Sequence, residues 1–292
     1  MIGHSHQGRF RAVLPPDRLS RYSNRNCPLP HRLLLVRKGV PALFVCASIE
    51  SFSGLPRKEI FPMLVDLEFS SVELPIHEEG MGWVKPSEVL ANLEGACNVC
   101  RETNRLTVAA VSVDSTAVGD LYYEQFAACC KLAKALKVVP LIVPAAELGT
   151  PFNAEIERLR ELVRVAAFEG CLVAIKTQIG CMTEDPSTAT VLCDNVKGLG
   201  LSLDPSHYVA GPWQGRDITK VIEYVFHVRL RDSTKSEFNV RVGQGEIDYG
   251  KLISQLSHAG YDRALAIDMP PLEDQDHRAE LRKLRLLLES LL

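Results

Sequence analysis

The segment Leu203-Asp204-Pro205-Ser206-His207-Tyr208 sets a carboxylate and an imidazole three residues apart across a proline. Proline halts a strand and favours a turn, so both side chains would stand where a strand gives way to a loop, placed for proton transfer or metal ligation. Three other stretches carry charge in a similar way: Ala174-Ile175-Lys176, His227-Val228-Arg229-Leu230-Arg231 and Ala264-Leu265-Ala266-Ile267-Asp268. Successive side chains of a strand face opposite sides. His227, Arg229 and Arg231 therefore share one face, and Lys176 and Asp268 fall in the phase of small residues, opposite the bulky apolar ones. An ion taken out of water without a partner costs several kcal/mol, roughly. Lys176, Arg229 and Arg231 thus need carboxylates, water or a bound anion, and Asp204 and Asp268 are the expected partners. An ion-pair plug that merely closes the fold is the bland alternative.

These residues need a scaffold, and the rest of the chain supplies its pattern. From Ala42 onward, β-rich runs near 43–49, 70–75, 106–113, 138–143, 171–177, 199–204, 225–231 and 263–268 alternate with helical stretches near 57–67, 86–103, 120–136, 153–168, 185–195, 217–223, 248–259 and 273–291. Eight such pairs predict a single (β/α)8 barrel over residues 41–292. Bulky residues in one strand phase suit the helix layer, so the small or charged phase faces the barrel axis. Glu50 and Glu73 then join the charged strand ends, on the face where barrel enzymes build active sites. An open doubly wound sheet that binds a dinucleotide would carry a glycine-rich first turn, and Ser51-Phe52-Ser53-Gly54-Leu55-Pro56 does not.

Composition narrows the function. A length of 292 residues with 46% apolar content can bury a large core, and a formal net charge of −3 supplies no global field for gripping nucleic acid. Nine cysteines, scattered through apolar runs, fit reduced core thiols and a cytoplasmic location better than a disulfide framework. Cys97-Asn98-Val99-Cys100 has no second ligand pair and reads as helix, as does Cys129-Cys130. No run reaches the ~18 apolar residues of a membrane span. Residues 1–40, with eight Lys or Arg against Asp17 alone, read as a basic tail or an over-extended start. A homo-oligomer is compatible with all of this.

The ordered motifs Leu203-Asp204-Pro205-Ser206-His207-Tyr208, His227-Val228-Arg229-Leu230-Arg231-Asp232, Val242-Gly243-Gln244-Gly245-Glu246-Ile247-Asp248-Tyr249 and Gly260-Tyr261-Asp262 leading to Ile267-Asp268 resemble the xylose-isomerase-like barrel superfamily of sugar isomerases and epimerases, which also holds the endonuclease IV group. The resemblance implies a small sugar or sugar phosphate as ligand. It also implies a divalent metal (Mn, Mg, Co or Zn) held by Glu, Asp, His and Glu from strands 5 to 8. Carried over position by position, Asp204 is present and His207 is the neighbouring motif histidine. The other positions depart: Lys176 stands for the first Glu, Arg229 for the His and Asp268 for the last Glu. Two carboxylates and two cations balance without an ion, so no cofactor is expected. A metal, if bound, would involve Asp204, His207 and Asp268, or His227 after a one-step register change.

The candidate catalytic residues are thus Lys176, Asp204, His207, Arg229 and Asp268, and the candidate substrate contacts are Glu73, His77, Arg231, Arg241 and Gln244. Trp83 and Trp213 could wall the pocket. Three functions follow: a metal-independent sugar isomerase or epimerase, in which Lys176 acts as base or imine former; a binder of an anionic sugar-like ligand on Lys176, Arg229, Arg231 and Arg241, with Gly243-Gln244-Gly245 offering backbone N–H groups; and, remotely, an abasic-site endonuclease.

Overall fold

The computed structural model describes residues 43–292, so the expected tail at residues 1–40 lies outside the described residues. Eight parallel strands close into a barrel in chain order. They are β1 (Phe44–Ser48), β2 (Ser71–His77), β3 (Thr107–Asp114), β4 (Pro140–Val143), β5 (Leu172–Lys176), β6 (Leu199–Leu203), β7 (Val225–Leu230) and β8 (Ala264–Ile267). Between and after them run α1 (Arg57–Asp66), α2 (Pro86–Ala91), α3 (Leu93–Arg101), α4 (Asp120–Leu136), α5 (Phe152–Glu169), α6 (Pro186–Asn195), α7 (Ser206–Val209), α8 (Thr219–Ile222), α9 (Tyr249–His258) and α10 (His277–Glu289). No helix among the described residues is long and apolar enough to cross a membrane.

The strand alternation sorts the core into two parts. Val173, Ile175, Leu201, Leu203, Val228, Leu230, Leu265 and Ile267 join the large core beneath the helices, where full burial of each stabilises by about 1.5–3 kcal/mol. Inside the barrel, a small separate cluster of Cys46, Ala264 and Ala266 packs with Phe44 and Ala109. Small residues at the bottom leave the charged ones to fill the top. Closure comes from β8 on β1, with Cys46 opposite Ala266.

A bulge between β6 and β7 sets the inward phase of the site. Leu201 pairs with Val225, but Ser202 pairs with His227, so Phe226 is skipped. Phe226 instead lies against Gly200, where an added Cβ would sit 2.2 Å from its ring. Only glycine leaves room for that ring.

One predicted helix, 86–103, is two in the structure. Asn92 leaves the helical conformation (φ −150, ψ 84) and its side chain accepts the N–H of Gly95, capping α3. Asn competes with helix in this way because its amide can replace a backbone partner. The eight described cysteines are free and buried, those of Cys97-Asn98-Val99-Cys100 and Cys129-Cys130 included.

Candidate functional site

Backbone and side-chain bonds fix the C-terminal ends of β5 and β6 together. Thr177 Oγ1 accepts the N–H of Asp204 (2.9 Å), and Thr183 Oγ1 donates to the carbonyl of Lys176 (2.7 Å). Asp204 Oδ1 accepts the N–H of Ser206 at 2.9 Å, turning the chain into α7, and Tyr208 donates its hydroxyl to the Thr183 carbonyl. The proline-broken segment thus holds Asp204 at the barrel mouth with His207 above it.

A cavity of about 340 Å³ opens there, walled by Glu50, Lys176, Thr177, Gln178, Ser202, Asp204, His207, Arg229, Arg231, Phe238, Asp268 and Pro270. That volume suits a small ligand. Three carboxylates in this wall face three cations. Arg229 bonds Glu50 through both terminal nitrogens (2.8 and 3.3 Å), reaches Asp268 at 3.3 Å and also donates to Glu73. Arg231 bridges Asp204 (3.1 Å from Nε) and Asp268 (2.8 Å). Its guanidinium also lies 4.9 Å from the centre of the Phe238 ring, which packs on His207 with centroids 4.5 Å apart.

The ion pairing therefore differs from the expected one. Asp204 and Asp268 are tied by Arg231, and Asp268 also by Arg229; Lys176 faces Glu50 instead, at 3.9 Å and without a hydrogen bond. Two forked guanidiniums satisfy carboxylates bidentately where an ammonium cannot, so the arginines take the acids and leave the lysine amine at the cavity.

Glu73 lies beneath this layer, fully buried, with one oxygen on Arg229 and the other 2.5 Å from His227 Nε2. It touches neither the cavity nor His207. His77 stands behind Glu50 at 3.6 Å and meets Ser112 at 3.0 Å. Arg241 is exposed beside Glu280, 3.9 Å away. Gln244 is outside the cavity wall, and the neighbouring N–H groups of Gly243 and Gly245 both donate to Asp232 Oδ2 (2.7 and 3.0 Å). The glycine turn consequently has no free N–H pair to offer an anion, because the acid that closes the turn has already claimed it. Trp83 packs on Phe61 under Arg57, and Trp213 under Arg216; the aromatic wall is Phe238.

Burial and charge set the protonation states. Burial pushes the Glu50 carboxyl upward, but Arg229 and Lys176 outweigh it and hold it well below the carboxylate range. Burial acts likewise on Glu73, and Arg229 with His227 brings it down from 4.5 to about 2. Lys176 is lowered, first by burial and then by Arg229, with Glu50 pulling back. Burial also lowers His207. Its Nδ1 accepts the N–H of Ile179 at 3.1 Å, so the neutral ring carries its proton on Nε2, 3.8 Å from Asp204. Asp268 is pushed up by burial despite both guanidiniums.

Fold and site define a parallel eight-stranded barrel with a charged pocket at the C-terminal mouth. The chain belongs to the xylose isomerase-like TIM barrel family, whose model matches residues 62–287. No curated protein sequence matches it significantly. Among solved structures, a xylose isomerase-like TIM barrel protein from Mycobacterium smegmatis in complex with magnesium is similar at 14% identity and a TM-score of 0.66, over 85% of this chain and 97% of the other. The 3-keto-D-glucoside 4-epimerase of E. coli is 16% identical with a TM-score of 0.60 (85% and 100%). The probable 3-DHS dehydratase of petrobactin synthesis from Bacillus anthracis is 13% identical with a TM-score of 0.63 (84% and 98%).

The donor set at the mouth departs from what a divalent ion of the kind held by such a relative requires. Asp204 and Asp268 already accept guanidinium hydrogens, and an ion between them would have to displace Arg231 while lying near two further cations. Among the described residues, no group of three His, Cys, Asp or Glu is placed to ligate a metal. A divalent ion here would compete with both guanidiniums for these two carboxylates.

Proposed function

We propose that this protein is a sugar isomerase or epimerase-like enzyme acting on a small sugar or sugar acid, with the usual divalent-metal site replaced by the cations Lys176 and Arg229. The observation that carries the reading is the Lys176 amine. It faces the cavity without a hydrogen-bonded carboxylate, while every acid in the wall is held by an arginine.

In this reading the Lys176 amine engages the carbonyl group of the substrate while His207 Nε2–H polarises it. Glu50, 3.9 Å from the amine and ionised, takes and returns the proton on the carbon next to that carbonyl. Asp204, Arg231 and Asp268 form the fixed floor that keeps the charges in place. The balance of three acids against three cations favours a ligand with little net charge, and a phosphate would have to pull a guanidinium from its carboxylates.

The test is solvent deuterium incorporation into candidate ketoses, aldoses and sugar acids, followed by NMR on protein stripped with EDTA. Exchange that survives chelation and disappears in Lys176→Met supports the reading. Exchange that appears only on adding a divalent metal overturns it. If sugars or sugar acids raise the melting temperature without any exchange, the chain is a binder rather than an enzyme.

A further inference from the structure

Lys176 and Ser202 are register partners on β5 and β6, so their side chains emerge side by side into the cavity. Ser202 is buried, and its hydroxyl has no hydrogen-bond partner. A buried hydroxyl left unpaired is costly unless something arrives to meet it. Beside it, the Lys176 amine is likewise without a hydrogen-bonded acid, in a wall where the guanidiniums hold the carboxylates. A nucleophile and, on the neighbouring strand, a buried unfilled hydrogen-bonding group thus line one cavity whose wall carries no net formal charge.

Resting on the isomerase reading, we infer that Lys176 forms an imine with the carbonyl carbon of an uncharged, open-chain hydroxy ketone or hydroxy aldehyde, and that Ser202 holds the carbonyl oxygen as it leaves. The amine nitrogen attacks the carbonyl carbon as the C=O π pair moves to oxygen. The C–O bond of the resulting carbinolamine then breaks. Two of the three ammonium hydrogens depart with that oxygen as water, and the positive charge remains on nitrogen as iminium. The charge balance of the wall is therefore the same before and after condensation. The iminium acidifies the neighbouring C–H, Glu50 takes that proton, and the enamine receives it back on either face. Water then restores the amine and releases the product, with no redox partner required.

Burial and Arg229 both lower the lysine, which favours the free amine, and each pKa unit multiplies the free fraction about tenfold at neutral pH. The experiment is reduction with cyanoborohydride at neutral pH in the presence of dihydroxyacetone or D-fructose, on the full chain, with peptide mass mapping. The exposed residues Lys131, Lys197 and Lys251 serve as internal controls. Lys176 is expected to be the first lysine labelled, ahead of those three, in the direction set by its lowered basicity. Ser202→Ala, which removes no existing bond, should keep the wild-type melting temperature. It should slow the Lys176 adduct about three- to tenfold, the usual worth of one hydrogen bond.

Adducts confined to the exposed lysines overturn the imine. An unchanged rate in Ser202→Ala overturns the role given to that hydroxyl. Metal-free deuterium exchange without an adduct at Lys176 leaves the isomerase reading standing and removes the imine. An adduct at Lys176 without exchange supports the imine and removes the isomerase.

Discussion

Replacing Arg229 with leucine should be the most damaging single change at the barrel mouth, and its cost should depend on pH in a defined direction. The guanidinium bonds Glu50 at 2.8 and 3.3 Å, Asp268 at 3.3 Å and the fully buried Glu73. Asp268 retains Arg231 and Glu73 retains His227, so Glu50 loses most: no hydrogen-bonded cation is left, only His77 at 3.6 Å and Lys176 at 3.9 Å. Breaking a buried pair from one side costs about 3–5 kcal/mol, a large share of the roughly 5–15 kcal/mol that holds a domain together. Glu73 adds the pH dependence. Its folded value of about 2, against the usual 4.5, represents stability on the order of 3 kcal/mol at neutral pH. Because the folded value is depressed, that contribution is full above 4.5 and is lost as pH falls toward 2. The Arg229→Leu change removes the main source of the depression, so the gap between the two proteins should be widest near neutrality and narrow below about pH 4.5. Urea denaturation at a series of pH values reads the gap directly. A variant within about 0.5 kcal/mol of wild type at neutral pH, or a deficit that does not shrink on acidification, would refute the assignment of Arg229 as the counter-charge of these acids.

Lys176→Met should abolish turnover yet raise the melting temperature by about 2–4 °C, since a buried charge is exchanged for an apolar chain worth about 1 kcal/mol; calorimetry with the exchange assay checks both. The triple change Lys176→Glu, Arg229→His and Asp268→Glu should create metal binding, with Mn2+ at a hundredfold over Kd stabilising by about 2.7 kcal/mol where the wild type is unmoved. Asp232→Ala should cost about 2–3 kcal/mol and loosen the loop around Gly243 and Gly245, whose N–H groups lose their acceptor; hydrogen exchange of those two amides is the readout.

The barrel was legible because its signal is repeated: each strand segregates bulky from small or charged residues, and eight repeats leave little room for another fold. The location of the site was legible for the same reason, since Lys176, Asp204, Arg229, Arg231 and Asp268 all fall in the inward phase near strand ends. The pairing was not. Alternation gives the face of a side chain but not its height on the barrel axis, and height decides that Glu73 meets His227 below the cavity while Glu50 meets Lys176 in its wall. Glu50 was visible as a charged strand end, and its role needed the register of β1 on β2 and β8. Phe238 lies in the loop after β7, where no periodicity speaks. Asp232 followed a strand as a turn-closing acid would, but its claim on both glycine amides is a contact made across ten residues of loop.

Whether a divalent ion binds at the barrel mouth is decided most directly by an anomalous difference map from a crystal soaked in Mn2+. No peak is expected at the barrel mouth, with Arg231 still bridging Asp204 and Asp268. A peak at metal-ligand distance, roughly 2.0–2.2 Å for such donors, from the carboxylates of both Asp204 and Asp268 would contradict the replacement of the metal by Lys176 and Arg229.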